Sequence, residues 1–65
     1  MIKTRDKVEL TENLNSSIKK GMKGVVLEQL KEDTFEIEVV DKEGNNVIHE
    51  ANLTFTVKID QIKKI

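Results

Sequence analysis

The 65-residue chain contains no cysteine, proline, tryptophan or tyrosine, and it has a single histidine. Because cysteine is absent, disulfide bonds and thiolate metal sites are excluded. His49 alone cannot supply the nitrogen or sulfur ligands, usually about four, of a structural zinc site. A domain this small buries a thin core, so the fold must be stabilised by apolar packing, by a partner or by a second copy of the chain.

Aromatic side chains are limited to Phe35 and Phe55. Both occupy apolar positions of alternating segments, where we expect them to lie in the core. Grooves for proline-rich peptides, cages for methylated lysine and platforms for nucleic-acid bases all depend on exposed aromatic rings. The composition therefore disfavours these three kinds of recognition site.

Long apolar segments are also missing. No run approaches the roughly 20 apolar residues that a membrane-spanning helix needs. Residues 1–6 do not form an apolar segment of the length found in signal peptides. We expect a single cytoplasmic domain over residues 1–65 that has no contact with a membrane.

The charges are unevenly distributed, although the net charge is only −1. Residues 26–50 carry eight acidic residues against two lysines, and the segments on either side carry a net positive charge. This pattern allows two interpretations. The charges could serve solubility and pair within the fold, or the acidic middle could form a surface for a basic partner.

Alternation of apolar and polar residues with a period of two dominates the chain and predicts β-strands. The clearest example is 34–40, in which Phe35, Ile37 and Val39 alternate with glutamates. Leu14 and Ile18 are expected to anchor a long loop to the core, and 59–61 is expected to form a 3₁₀ turn. The predicted class is an all-β barrel of five to six short antiparallel strands. The predicted strands are 7–11, 25–30, 34–40, 47–51, 52–57 and 62–65.

Three short motifs resemble those of SH3-like small barrels. They are Asp6-Lys7-Val8-Glu9-Leu10, Lys20-Gly21-Met22-Lys23-Gly24-Val25-Val26-Leu27-Glu28 and the hairpin from Phe35 to Gly44. The pattern is similar to that of a family of short bacterial barrel proteins without an assigned activity, some of which resemble immunity or antitoxin partners of small toxins. The G-x-x-G turn is also similar to the start of KOW-type modules of ribosomal proteins and transcription factors. Such modules are usually basic, whereas this chain is acidic in its middle.

Catalytic interpretations of the polar motifs are weak. The Gly21/Gly24 pair lacks the further glycines and the G-K-[S/T] ending of a phosphate loop, so it is interpreted as a turn. His49 could act as a general base with Glu43 or Glu50, but no nucleophile motif accompanies it. It is expected to face solvent from a strand. We therefore expect no enzyme activity, cofactor or metal.

Carboxylates on the strands could in principle bind a metal, with Glu36 and Glu38 on one face of a strand. Catalytic carboxylate pairs need burial that raises one pKa, and exposed strand glutamates stay ionised. A solvated or docking surface is the better interpretation. The leading hypothesis is a non-enzymatic module that binds a basic protein through an acidic surface. Its candidate residues are Glu28, Glu36, Glu38, Asp41, Glu43 and Glu50.

Two alternatives remain open. Lys19, Lys20 and Lys23 could contact a phosphate backbone and give salt-sensitive binding to nucleic acid or the ribosome. An exposed edge strand could instead pair with a second copy of the chain and produce a homo-oligomer.

Overall fold

The computed structural model describes all residues from 1 to 65 and contains five antiparallel strands in one sheet. The strands are β1 (Lys7–Leu10), β2 (Lys23–Lys31), β3 (Thr34–Val40), β4 (Thr54–Lys58) and β5 (Ile62–Lys64). Their order across the sheet is β4-β3-β2-β1-β5, and a 3₁₀ turn at Ile59–Gln61 joins the last two. The all-β class and the position of the 3₁₀ turn are confirmed. No helix is long and apolar enough to span a membrane.

The core is built from the apolar positions that alternate along the strands. In β3, Phe35, Ile37 and Val39 are buried, as the sequence predicts. Ile18 is buried and Leu14 packs against the core, so the long loop between β1 and β2 is anchored as expected. The ten buried apolar residues are Val8, Leu10, Ile18, Val26, Phe35, Ile37, Val39, Phe55, Val57 and Ile62.

The first and last strands lie side by side, because β5 pairs with β1. Two ion pairs cross this boundary. The Nζ of Lys63 lies 3.8 Å from Glu9, and the Nζ of Lys64 lies 3.5 Å from Asp6. The basic C-terminal segment is therefore paired partly with the first acidic residues of the chain, and through Lys58, 3.8 Å from Asp33, also with the acidic middle.

Strand β2 contains an irregularity that reorients its second half. Val26 pairs with Ile37, but the next pair is Glu28 with Glu36, so Leu27 is an additional residue in β2. If the strand alternated regularly through Leu27, Glu28 would face the core, two positions after the buried Val26. Because of the irregularity, Glu28 faces outward instead. A second irregularity lies between Gln29 and Lys31, and all residues from 27 to 31 are exposed.

The predicted strand over 47–51 is wrong. The one bridge made by this segment is the isolated pair of His49 with Asn52, and a second isolated bridge, Val40 with Asn46, lies just before it. Glu50 and Ala51 form a tight turn with φ of 50° and 67°, a left-handed conformation that disfavours strand geometry. The strand that follows begins at Thr54 rather than at residue 52, and Leu53, an apolar residue of the predicted strand 52–57, is 49 % exposed.

The two glycines predicted to share one turn have different roles. Gly21 has φ of 91° and lies in the turn before β2. Gly24, by contrast, lies within β2 and pairs with Val39. A Cβ atom at Gly24 would collide with the backbone carbonyl oxygen of Glu38. Gly24 therefore permits close contact between β2 and β3.

We expect Gly24→Ala to lower the free energy of unfolding by about 1–3 kcal/mol, because β2 and β3 must separate to admit the methyl group. Urea denaturation followed by circular dichroism measures this loss. The matched variant Gly21→Ala meets open space and suffers only from its positive φ, at a cost of roughly 1–2 kcal/mol. A Gly24→Ala variant as stable as the wild type would contradict the observed strand packing.

Asp6 provides a pH-dependent contribution to stability. The backbone N–H of Lys3 donates to its Oδ2 at 2.8 Å, and this bond, with the nearby Lys64 ammonium, holds the pKa of Asp6 below its ordinary value of 3.8. The contribution is therefore complete at neutral pH and is lost as pH falls through the lowered pKa. We expect Asp6→Asn to be less stable than the wild type near neutrality, with the difference shrinking below about pH 4. Urea titrations across this range test it, with the exposed Glu43→Gln as control. Parallel pH profiles for the wild type and Asp6→Asn would contradict it.

Candidate functional site

The outer face of the central hairpin carries three carboxylates, which we call the β2–β3 acidic row: Glu28, Glu36 and Glu38. Glu28 lies directly opposite Glu36 in the register, and Glu38 lies opposite Val25. None of the three forms an ion pair with a lysine or arginine. Like charges placed opposite each other on a sheet destabilise it, so this arrangement has a cost that the fold does not offset with an internal cation.

Glu36 is oriented by two hydroxyl groups on the neighbouring strand. Thr54 Oγ1 donates to Glu36 Oε2 and Thr56 Oγ1 donates to Glu36 Oε1, each at 2.7 Å. Both threonines belong to β4, on the side of β3 opposite Glu28. The carboxylate therefore leans away from Glu28 and has a defined direction.

Thr54 and Thr56 are not among the site residues predicted from the sequence. They alternate with the buried Phe55 and Val57, and this pattern already places them on the outer face. Their contact with Glu36 depends on the pairing of Glu36 with Thr56 and of Glu38 with Thr54. That register joins residues far apart in the chain, so the alternation of apolar and polar residues along each strand does not reveal it.

The other acidic residues of the predicted docking surface lie in two separate turns, away from the β2–β3 acidic row. Asp41 Oδ1 accepts the backbone N–H groups of Glu43 and Asn45 at 3.0 and 2.9 Å, so it organises the turn after β3. Glu43 is exposed in that turn. Glu50 lies in the separate turn before β4. The register joins only the β2–β3 acidic row into one group.

The lysine group of the alternative hypothesis lies around the turn that enters β2. Lys19, Lys20 and Lys23 are all exposed, and none forms an ion pair. Lys23 lies opposite Glu9 on β1 and opposite Val40 on β3. The three ammonium groups are therefore accessible to an anionic partner.

A polar cleft of about 560 Å³ runs beside β4. Thr54, Phe55 and Thr56 line it from the strand, and Glu36 contributes the only charged group. Leu14 and Asn15 reach it from the β1–β2 loop. The remaining lining residues are Asn52 and Gln61. The volume lies in the range of small-molecule or side-chain binding sites.

His49 was predicted to face solvent from a strand. In the structure it connects two loops instead. Its Nδ1 lies 2.9 Å from Ser17 Oγ in the β1–β2 loop, and its side chain is 20 % exposed. Its Nε2 lies 3.5 Å from Glu50 Oε2. Serine, histidine and a carboxylate also form nucleophilic sites, but the carboxylate that orients such a histidine is buried. The Glu50 side chain is 80 % exposed, so this contact acts as a link between loops.

No three histidine, cysteine, aspartate or glutamate side chains come close enough together to hold a metal ion.

Residues 5–62 match the family described as Domain of unknown function (DUF4926). The chain belongs to this family. The match includes the β2–β3 acidic row, the threonines of β4 and all of β1, and it ends at Ile62, the first residue of β5. No curated protein and no solved structure shows significant similarity to the chain.

We expect Glu28→Lys to stabilise this DUF4926 domain by about 0.2–1 kcal/mol at low salt, because it replaces a like-charge pair with an attractive one opposite Glu36. Urea denaturation at low and high salt measures the gain, which should shrink as salt screens the charges. Glu28→Gln is the matched control and removes only the repulsion, so its gain should be smaller. Equal stability of Glu28→Lys and the wild type at low salt would show that the two carboxylates do not interact.

Proposed function

We propose that this domain is a non-enzymatic protein-binding module whose β2–β3 acidic row docks a basic protein. The main support for this proposal is that three carboxylates share one face of the hairpin and that none of them has a cationic partner within the chain. The lysines that do form ion pairs contact acidic residues outside the row. They are Lys58 with Asp33, Lys63 with Glu9 and Lys64 with Asp6. The acidic row is thus left to interact with charges outside the chain.

Opposite charges would act mainly on the encounter between the two proteins. A surface of one sign steers a partner of the other sign and raises the association rate. Exposed apolar side chains near the hairpin provide anchors that can be buried on docking. Leu27 and Leu30, which lie in the irregular half of β2, are 40 % and 46 % exposed.

A toxin neutralised by this domain is the most concrete partner that fits the proposal. Support comes from the resemblance to immunity and antitoxin partners and from the acidic row, since a basic toxin would complement it. Within the all-β class, we propose that the domain has an SH3-like barrel fold. The chain order of a long loop, a three-stranded meander, a 3₁₀ turn and a short final strand supports it.

The proposal predicts that Glu28→Lys/Glu38→Lys weakens partner binding by about tenfold or more at low salt, because attraction to the basic surface becomes repulsion. The tagged wild-type chain would first be used to capture proteins from its native lysate, with and without nuclease. Isothermal titration calorimetry would then compare the purified partner with the wild type and the double variant at two salt concentrations.

The double variant Glu12→Lys/Glu32→Lys is the matched control, since it changes the net charge equally at exposed positions outside the row. Equal loss of binding in both double variants, or in neither, would reject docking through the acidic row. Capture of ribosomal or nucleoid proteins that disappear with nuclease would instead favour the lysine group at Lys19, Lys20 and Lys23.

A further inference from the structure

We propose that the cleft beside β4 receives an extended segment of the partner, with an arginine side chain on Glu36 and its backbone added to the free edge of β4. This inference rests on the proposed function, because it specifies which part of a basic partner is recognised and where. It separates Glu36 from the rest of the acidic row and gives it the role of an anchoring site.

The backbone of β4 is available on its outer side. β4 is the last strand of the sheet and pairs only with β3. In an antiparallel ladder, alternate residues direct their N–H and C=O groups away from the neighbouring strand. No residue from 54 to 57 forms a backbone hydrogen bond outside the β3–β4 ladder. Three consecutive β4 residues line the cleft, so an extended segment lying in it would run along unpaired backbone groups.

The Glu36 carboxylate retains room for a cation. Each of its oxygens accepts one threonine hydroxyl, whereas an ionised carboxylate offers about four lone-pair positions. The two threonines fix the plane of the carboxylate. A planar guanidinium can then donate two parallel hydrogen bonds to it. A lysine ammonium is a compact charge and gains less from such a fixed orientation.

A second copy of this chain is a poorer occupant of the cleft. Its β4 would bring only Lys58 as a cation, and that lysine already lies 3.8 Å from Asp33. A β4–β4 contact would also bring two Glu36 carboxylates to one interface without a cation to separate them. The charge of the cleft therefore favours a different chain that carries arginine.

Neutral groups in the cleft complement an extended segment. The Asn52 side chain lines the cleft and forms no hydrogen bond within the chain. The Asn15 Oδ1 is occupied by the N–H groups of Ser17 and Ile18, which leaves its Nδ2 to donate. Amide groups of this kind can pair with the backbone of an incoming segment.

The test uses the peptide acetyl-Thr-Val-Arg-Val-Thr-amide as probe and nuclear magnetic resonance of the ¹⁵N-labelled chain as readout. We expect the amide signals of residues 54–57 to shift on titration. Glu36→Gln should weaken binding by about tenfold or more, since a charged hydrogen-bonded partner is lost. A peptide with lysine in place of arginine should bind about threefold or more weakly.

Glu38→Gln is the matched control, because Glu38 lies on the same strand and face but does not line the cleft. It should leave the affinity within about twofold of the wild type. The variant Thr54→Val/Thr56→Val should weaken binding, and Thr54→Ser/Thr56→Ser should retain it because the hydroxyls remain. Their spectra also show whether each variant is folded.

Equal weakening by Glu36→Gln and Glu38→Gln, or shifts that spare β4, would overturn the inference. If capture of the partner depends on Glu28 and Glu38 while peptide binding is indifferent to Glu36, this inference alone is rejected. If peptide binding depends on Glu36 while partner capture ignores Glu28 and Glu38, the docking surface under Proposed function is rejected instead.

Discussion

The additional residue in β2 at Leu27 decides whether Glu28 joins Glu36 and Glu38 on the outer face of the hairpin. Val26 is buried against the core, and strict alternation would direct Glu28 inward, where an unpaired carboxylate is costly. The break in register turns Glu28 outward and places it opposite Glu36. The pairing of Glu28 with Glu36 and the exposure of Leu27 follow from this irregularity, whereas the direction of the Glu36 carboxylate is set by Thr54 and Thr56.

Two unfavourable features lie in the half of the sheet that contains the candidate site. Like charges face each other at Glu28 and Glu36, and non-glycine residues adopt left-handed conformations at Glu50 and Ala51. A domain of 65 residues has only a few kcal/mol of stability to lose. On the other side of the sheet, β1 and β5 are joined by complementary charges. Left-handed conformations are not confined to one half, however, since Arg5, which precedes β1, has φ of 75°.

Much of the fold was predictable from the sequence because β3 alternates without interruption and its apolar residues all face the core. The 3₁₀ turn at Ile59–Gln61 and the anchoring of Ile18 were predicted for similar local reasons. The segment 47–51 was mispredicted because neither Glu50 nor Ala51 is a residue type that signals positive φ. Within the site, the acidic residues were predicted from the alternation of the strands and from the uneven distribution of charge along the chain. The threonines that hold Glu36 and the serine that holds His49 were not, since both contacts depend on how distant segments pair.

The hydrogen bond between Ser17 and His49 joins two segments that both contribute to the cleft. Leu14 and Asn15 come from one of these loops and Asn52 from the other. Because the loops are tied together, the width of the cleft is set before anything enters it. A preorganised opening loses less conformational entropy when it is filled. Among ligands of similar charge, differences in affinity would then arise mainly from how long each stays bound.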